Sequence, residues 1–204
     1  MMNEVATNGR LPSRHQLRLT VQTLSDLLTL LFPRPHSLDI ITYEDVQKRY
    51  PLTEMRGPAI VALEQSRRIL RAVGDYHQMG LCAFHHGLCY LYWDDCSSAR
   101  EQFDEARRQW AFVNMPSAIS LAYFAMGRTR HHLFQDEAAM MLYSKAEQWQ
   151  QRIHLLPTSE REKAFVSRLL SELHSVQEGL RERMWPRERD GQTVSAQAGP
   201  IDLP

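Results

Sequence analysis

The stretch GLCYLYWDDCSSAREQFDEA, from Gly87 to Ala106, places Gly87, Tyr90, Ala99, Phe103 and Ala106 at helical spacings on either side of a polar break. Forty residues on, GRTRHHLFQDEAAMMLYSKA runs from Gly127 to Ala146. There Gly127 repeats Gly87, Ala139 repeats Ala99, Tyr143 repeats Phe103 and Ala146 repeats Ala106. Self-similarity at a fixed offset is the mark of an architecture built from stacked units. The residue types carry a physical reason. Gly and Ala let two helices approach closely, and an aromatic ring fills the space between them. Bulky side chains on both partners would hold the axes at or beyond the usual 8–10 Å.

Outward from this pair, the chain reads as helices separated by short breaks. Leu17, Val21, Leu24, Leu28 and Leu31 form one stripe on a helix over Ser13–Phe32, ended by Pro33 and Pro35. A short helix is expected over Thr42–Arg49, and another from Pro58 to Val73. Gly74–Tyr76 is a turn, and helix resumes from His77 to Trp93. Ser98 and Glu101 make a capping-box pattern for a helix running to Val113. Pro116 then suits a first helical position, before helices over Ser117–Phe134 and Asp136–Ile153. Ser159 and Glu162 form a second capping box, opening a final helix over Glu160–Met184. No segment alternates with period two for long, and Leu, Ala, Glu, Gln and Arg dominate, so the expected class is all-α. Residues 1–12 and 186–204 lack periodicity and are expected to be a disordered start and a disordered tail or linker. Between them, 13–57 reads as an N-terminal helical cap region and 58–185 as the repeat domain.

With 204 residues, 24 basic and 24 acidic, the chain offers no bulk electrostatic argument for nucleic acid or a membrane. Its apolar run Leu27–Phe32 is too short to span a bilayer, and no secretory leader is legible, so the cytoplasm is the expected compartment. Cys82, Cys89 and Cys96 are an odd set. Two of them seven residues apart on a helix stand about 10.5 Å apart along its axis, too far for a disulfide. Reduced thiols are expected.

The residues Gly87, Tyr90, Ala99, Phe103 and Ala106 match all five small and aromatic positions of the tetratricopeptide repeat, which the chain resembles. Gly127, Ala139, Tyr143 and Ala146 match four, with Arg130 standing where an aromatic belongs. A weaker third unit places Ala59 and Leu63 forty residues before Ala99 and Phe103, with Ser66 in place of the last alanine. The family period is 34 residues; a period of 40 is similar to the longer-helix version found in bacterial signalling regulators. The resemblance covers about Pro58–Met184. It implies a short right-handed α-solenoid, with the N-terminal helix capping the first repeat and the last helix closing the stack.

In that family the first helix of each pair lines a groove. Carried over, the partner-binding face comprises Leu81, Phe84, Leu88, Leu91 and Tyr92, then Leu121, Phe124, Arg128, His131 and His132, with Arg161 and Arg168 on the closing helix. Leu88, Arg128 and Arg168 stand at equivalent places, so the groove runs from apolar to basic. Such a surface suits an amphipathic helix or an extended peptide carrying a carboxylate. An alternative is that the N-terminal helix itself covers the groove, and another is that this helix forms a dimer seam.

CAFHHGLC raises a metal reading through Cys82, His85, His86 and Cys89. A structural zinc site needs four ligands in a tetrahedron. One helix rarely supplies them, and His131 and His132 are the only further candidates. His86 also falls at a packing position. Asp94 and Asp95 are read as helix caps, not paired catalytic acids. With no phosphate loop and no nucleophile arrangement, the expectation is a non-enzyme without a cofactor: a protein- or peptide-binding scaffold or regulatory module. The rival readings are the sensor part of a transcriptional or signalling regulator, and a metal-binding or enzymatic protein built on the Cys/His set.

Overall fold

A computed structural model describes residues 14–32, 52–153 and 159–185 of the chain. The expected disordered ends, 1–12 and 186–204, and the expected short helix Thr42–Arg49 lie outside the described residues. Seven helices and no strand make up the described part: α1 Arg14–Leu31, α2 Leu52–Val73, α3 Tyr76–Tyr92, α4 Cys96–Phe112, α5 Pro116–His132, α6 Asp136–Ile153 and α7 Glu160–Met184. The arrangement is all-α and of helical-repeat character.

The helices α3 to α6 begin at residues 76, 96, 116 and 136, so the forty-residue offset in the sequence is two twenty-residue arms. The turns between them share one backbone. The residues at positive φ are Gly74 (73°), Asp94 (63°), Asn114 (50°) and Phe134 (56°), again twenty apart. In each turn the next amide bonds back over five residues, from Asp75 to Leu70, Asp95 to Tyr90, Met115 to Trp110 and Gln135 to Arg130. A second bond in each runs from the left-handed residue itself, for example Asp94 to Leu91 and Phe134 to His131. Each turn is therefore a Schellman closure, which satisfies the carbonyls that a helix end leaves free.

The side chains at these turns differ in cost. Glycine enters the left-handed region freely, and Asp and Asn tolerate it, but a phenylalanine there is strained. Phe134 is also half exposed. Phe134→Gly is expected to stabilise the fold by about 0.5–1 kcal/mol, read as a rise in Tm of roughly 1–4 °C.

Capping follows the turns. Asp75 accepts from the Gln78 amide at 3.0 Å, and Asp95 accepts from the Ser98 amide at 3.0 Å. The cap therefore falls on Asp95, one of the two acids read as caps, and not on Ser98 as the expected box had it. Asp95 takes the cap and the Ser98 hydroxyl donates to it at 2.8 Å, because the Schellman turn has already set where α4 begins. Ser159 and Glu162 form the reciprocal capping box at the start of α7. Pro116 sits at the head of α5. Pro58, expected to open a helix, lies inside α2, which starts at Leu52.

Packing is tightest within the pairs α3–α4 and α5–α6. A methyl group on Gly87 would come within 2.7 Å of Cδ1 of Phe103, and one on Gly127 within 2.6 Å of Cδ1 of Tyr143. Neither ring could yield easily, since both are fully buried with Ala99, Ala106, Ala139 and Ala146. Gly80 makes a third such approach to Trp110, at 2.5 Å from the ring Cδ1. Arg130, in the place of Tyr90, does not supply a ring; it donates to Gln135 across the turn instead. Arg67 ties α2 to α4 through Gln102 and Glu105.

Helix α7 runs parallel to α5. Glu162 near its start meets Ser117 at 3.5 Å, and Arg183 near its end meets His131 at 2.7 Å and Asp136 at 3.3 Å. The N-terminal helix α1, expected as a cap over the first repeat, takes a different place: it packs against α3, α5 and α7 together. Its stripe is the reason. Leu17, Val21, Leu24, Leu27 and Leu28 are all buried, and a helix apolar over so broad an arc needs a surface shared by several neighbours.

Candidate functional site

The face shared by α3, α5 and α7 is where the family resemblance implies a groove, and α1 packs against all three of these helices. The direction of α1 is antiparallel to both α3 and α5. Near its start, the Arg18 guanidinium lies 5.9 Å from the Tyr92 ring at the end of α3. At its finish, the Phe32 ring stands 5.1 Å from His77 and 5.7 Å from Trp110, at the start of α3 and the end of α4.

Between these ends a polar contact sits among the buried leucines of α1. Arg128 Nη2 donates to Thr20 Oγ1 at 2.7 Å, and Thr20 Oγ1 lies 2.8 Å from His132 Nε2. Thr20 is fully buried and His132 nearly so. Burial first, then the Arg128 charge, hold His132 down at about 3, so the imidazole is neutral at ordinary pH. A neutral ring whose Nε2 carries no proton accepts from the hydroxyl, while the hydroxyl oxygen accepts from the guanidinium. The Thr20 hydroxyl then both accepts and donates. His131 beside it is held at about 4, by burial and then by Arg183 and Arg128.

The residues expected to face a partner fall into distinct places. Phe84 and Phe124 pack inside their own pairs, with ring centroids 4.9 Å from Phe103 and 5.7 Å from Tyr143. Leu88, Leu91 and Leu121 are buried in the same core as the α1 leucines. Leu81, Tyr92, Arg128 and His131 are half-buried. Arg161 and Arg168 are exposed, and Arg168 pairs with Glu172 along its own helix at 3.0 Å. Arg128, His131 and His132 are thus brought together, while Arg168 stands apart from them on the surface of α7.

Two contributors were not singled out from the residues. Thr20 carries a legible signal: it sits three residues after Leu17 and four before Leu24, a polar residue on the apolar stripe. Gly80 is seven residues before Gly87, on the same helical face.

The Cys/His set does not converge. Among the described residues, no group of three or more His, Cys, Asp or Glu is placed to hold a metal ion. Cys82 donates to the Leu63 carbonyl at 3.3 Å, and His86 stacks on Tyr90 with centroids 4.8 Å apart. Burial pushes the Cys89 thiol up to about 11, so it is neither thiolate nor nucleophile near neutral pH. No helix among the described residues is long and apolar enough to cross a membrane.

No protein-family model, no curated protein and no solved structure matches the chain. The described residues stand as an all-α arrangement of helical-repeat character in which α1 packs against α3, α5 and α7.

Proposed function

We propose that this chain is a non-catalytic, tetratricopeptide-like protein-binding module whose groove recognises an amphipathic helix. The observation that carries this reading is the seat of α1. An amphipathic helix lies along α3, α5 and α7 with its leucines buried and one hydroxyl engaged by Arg128 and His132. Helix-in-groove recognition reads a target through anchors at such spacings. Here α1 is the resident, and as part of the same chain it competes at an effective concentration of the order of millimolar. A partner helix of the same pattern competes for its place. The proposed setting is a scaffold or regulator inside the cell.

The test uses a fluorescent peptide of residues 14–32 added to the full chain and to its Thr20→Val variant. Valine keeps the shape but leaves Arg128 and His132 without their bridge, weakening the resident by about 1–2 kcal/mol. The peptide, with Thr20 intact, is expected to bind the variant about tenfold more tightly than wild type. Failure to bind either folded protein, at any concentration up to the millimolar range of the tether, would show that α1 belongs to the core and does not exchange.

A further inference from the structure

Among the described residues, the groove holds a cation without a counter-charge. Arg128 stands where the preceding unit has the buried Leu88, so a guanidinium replaces an aliphatic side chain. What α1 presents to it is the neutral hydroxyl of Thr20, at 2.7 Å. Among the described residues no carboxylate pairs with Arg128, and the nearby acid Asp136 is engaged by Arg183 at 3.3 Å. His131 and His132 lie beside Arg128, whose positive field adds to burial in keeping both histidines neutral, with Arg183 acting on His131 as well. A half-buried charge satisfied only by a neutral acceptor leaves much of its desolvation cost uncompensated.

We infer that the partner for this groove is an amphipathic helix carrying an aspartate or glutamate at the register of Thr20, for which α1 is a weaker resident substitute. This rests on the helix-binding reading above. The geometry suits a carboxylate. One oxygen at the Thr20 position already lies within hydrogen-bond distance of both Arg128 and His132. A carboxylate there has two oxygens, one for the guanidinium and one for the neutral imidazole, which in its other tautomer carries its proton on Nε2 and donates it. Hydrogen bonds between ionised partners are roughly twice as strong as neutral ones. A buried charge pair of this kind also fixes register, because a helix displaced so that position 24 takes the place of Thr20 would bring a leucine against Arg128. The remaining anchors follow α1: apolar residues at the places of Leu17, Val21, Leu24, Leu27 and Leu28.

The experiment is a double-mutant cycle in the full chain, Thr20→Asp against Arg128→Leu, read by thermal unfolding. Arg128→Leu restores the residue type of Leu88. Thr20→Asp is expected to raise Tm when Arg128 is present and to lower it when Arg128 is leucine. In parallel, two peptides of residues 14–32, one with Thr20 and one with Asp in its place, are titrated against the Thr20→Val chain. The aspartate peptide is expected to bind about tenfold more tightly. A Thr20→Asp chain that loses stability equally in both backgrounds, or that fails to fold, overturns the inference, as do two peptides of equal affinity. If neither peptide binds while the opposite-sign shifts in Tm are found, the charge preference stands and the exchange of α1 is what fails.

Discussion

Gly127→Ala is expected to destabilise the protein, although alanine is the better helix former. The change gains about 1 kcal/mol of helix propensity. Against this, the added methyl stands 2.6 Å from Cδ1 of Tyr143, a contact real atoms do not make. The Tyr143 ring is fully buried and 5.7 Å from the Phe124 ring, so it can move only by pushing α5 and α6 apart. Overpacking of this kind costs about 1–3 kcal/mol and occasionally more, and for a fully buried ring the upper end is expected. The net loss is expected near 2 kcal/mol, a fall in Tm of roughly 4–8 °C. Gly179→Ala is the control. It lies in α7 with nothing within 4 Å of the added methyl, so it is expected to stabilise by up to about 1 kcal/mol. The same substitution in two helices therefore changes sign, and Gly127→Ala with Tyr143→Leu should recover part of the loss. Equal effects at positions 127 and 179 would contradict the close approach of α5 and α6.

The second large effect is acid lability centred on His132. Its folded value is about 3, lowered by burial first and by Arg128 next, against about 6.5 in the unfolded chain. A depressed value means that the unfolded state takes up the proton first. The stabilisation of neutral His132 is complete above about pH 6.5, and it is lost as pH falls toward 3 at about 1.4 kcal/mol per pH unit. By pH 4.5 the loss from this residue alone reaches about 2–3 kcal/mol. His131, held at about 4, pushes in the same direction. Urea unfolding at pH 7.5 and pH 4.5 reads the difference. His132→Gln keeps a group that can accept from Thr20 but cannot titrate, and should flatten the dependence by about that amount. A variant with the wild-type pH dependence would mean that His132 is not buried against α1.

The legible part of the fold follows from close-range sterics. Gly87 against Phe103 and Gly127 against Tyr143 are pairs in which the residue types leave one geometry, and the helices α3 to α6 follow from them. The twenty-residue arm was hidden because the four left-handed positions carry four different residues, Gly74, Asp94, Asn114 and Phe134. Backbone repetition does not require side-chain repetition where each residue can reach the same φ at a different cost. The seat of α1 was not legible for another reason. Its stripe says that it must be buried, but the hydrophobic effect is non-directional. An end cap, a dimer seam and a filled groove would all hide the same leucines. Only Thr20 distinguishes them, because a hydroxyl on that stripe requires polar partners, and Arg128 with His132 supply them. Phe84 and Phe124 show the opposite limit. The family resemblance put them on the groove, yet each ring packs toward the second helix of its pair.

The central claim is that the face of α3, α5 and α7 is a helix-binding site with α1 as its exchangeable occupant. The most direct measurement places a single protease site between Phe32 and Leu52 of the full chain, cleaves it, and follows the two pieces by native mass spectrometry and size exclusion on dilution. Without its tether α1 becomes an ordinary ligand. The account predicts a complex that dissociates reversibly, in which labelled α1 peptide replaces the resident while the circular dichroism of the larger piece persists. Loss of α1 accompanied by cooperative unfolding of α3 to α7 would contradict it and make α1 a permanent part of the core.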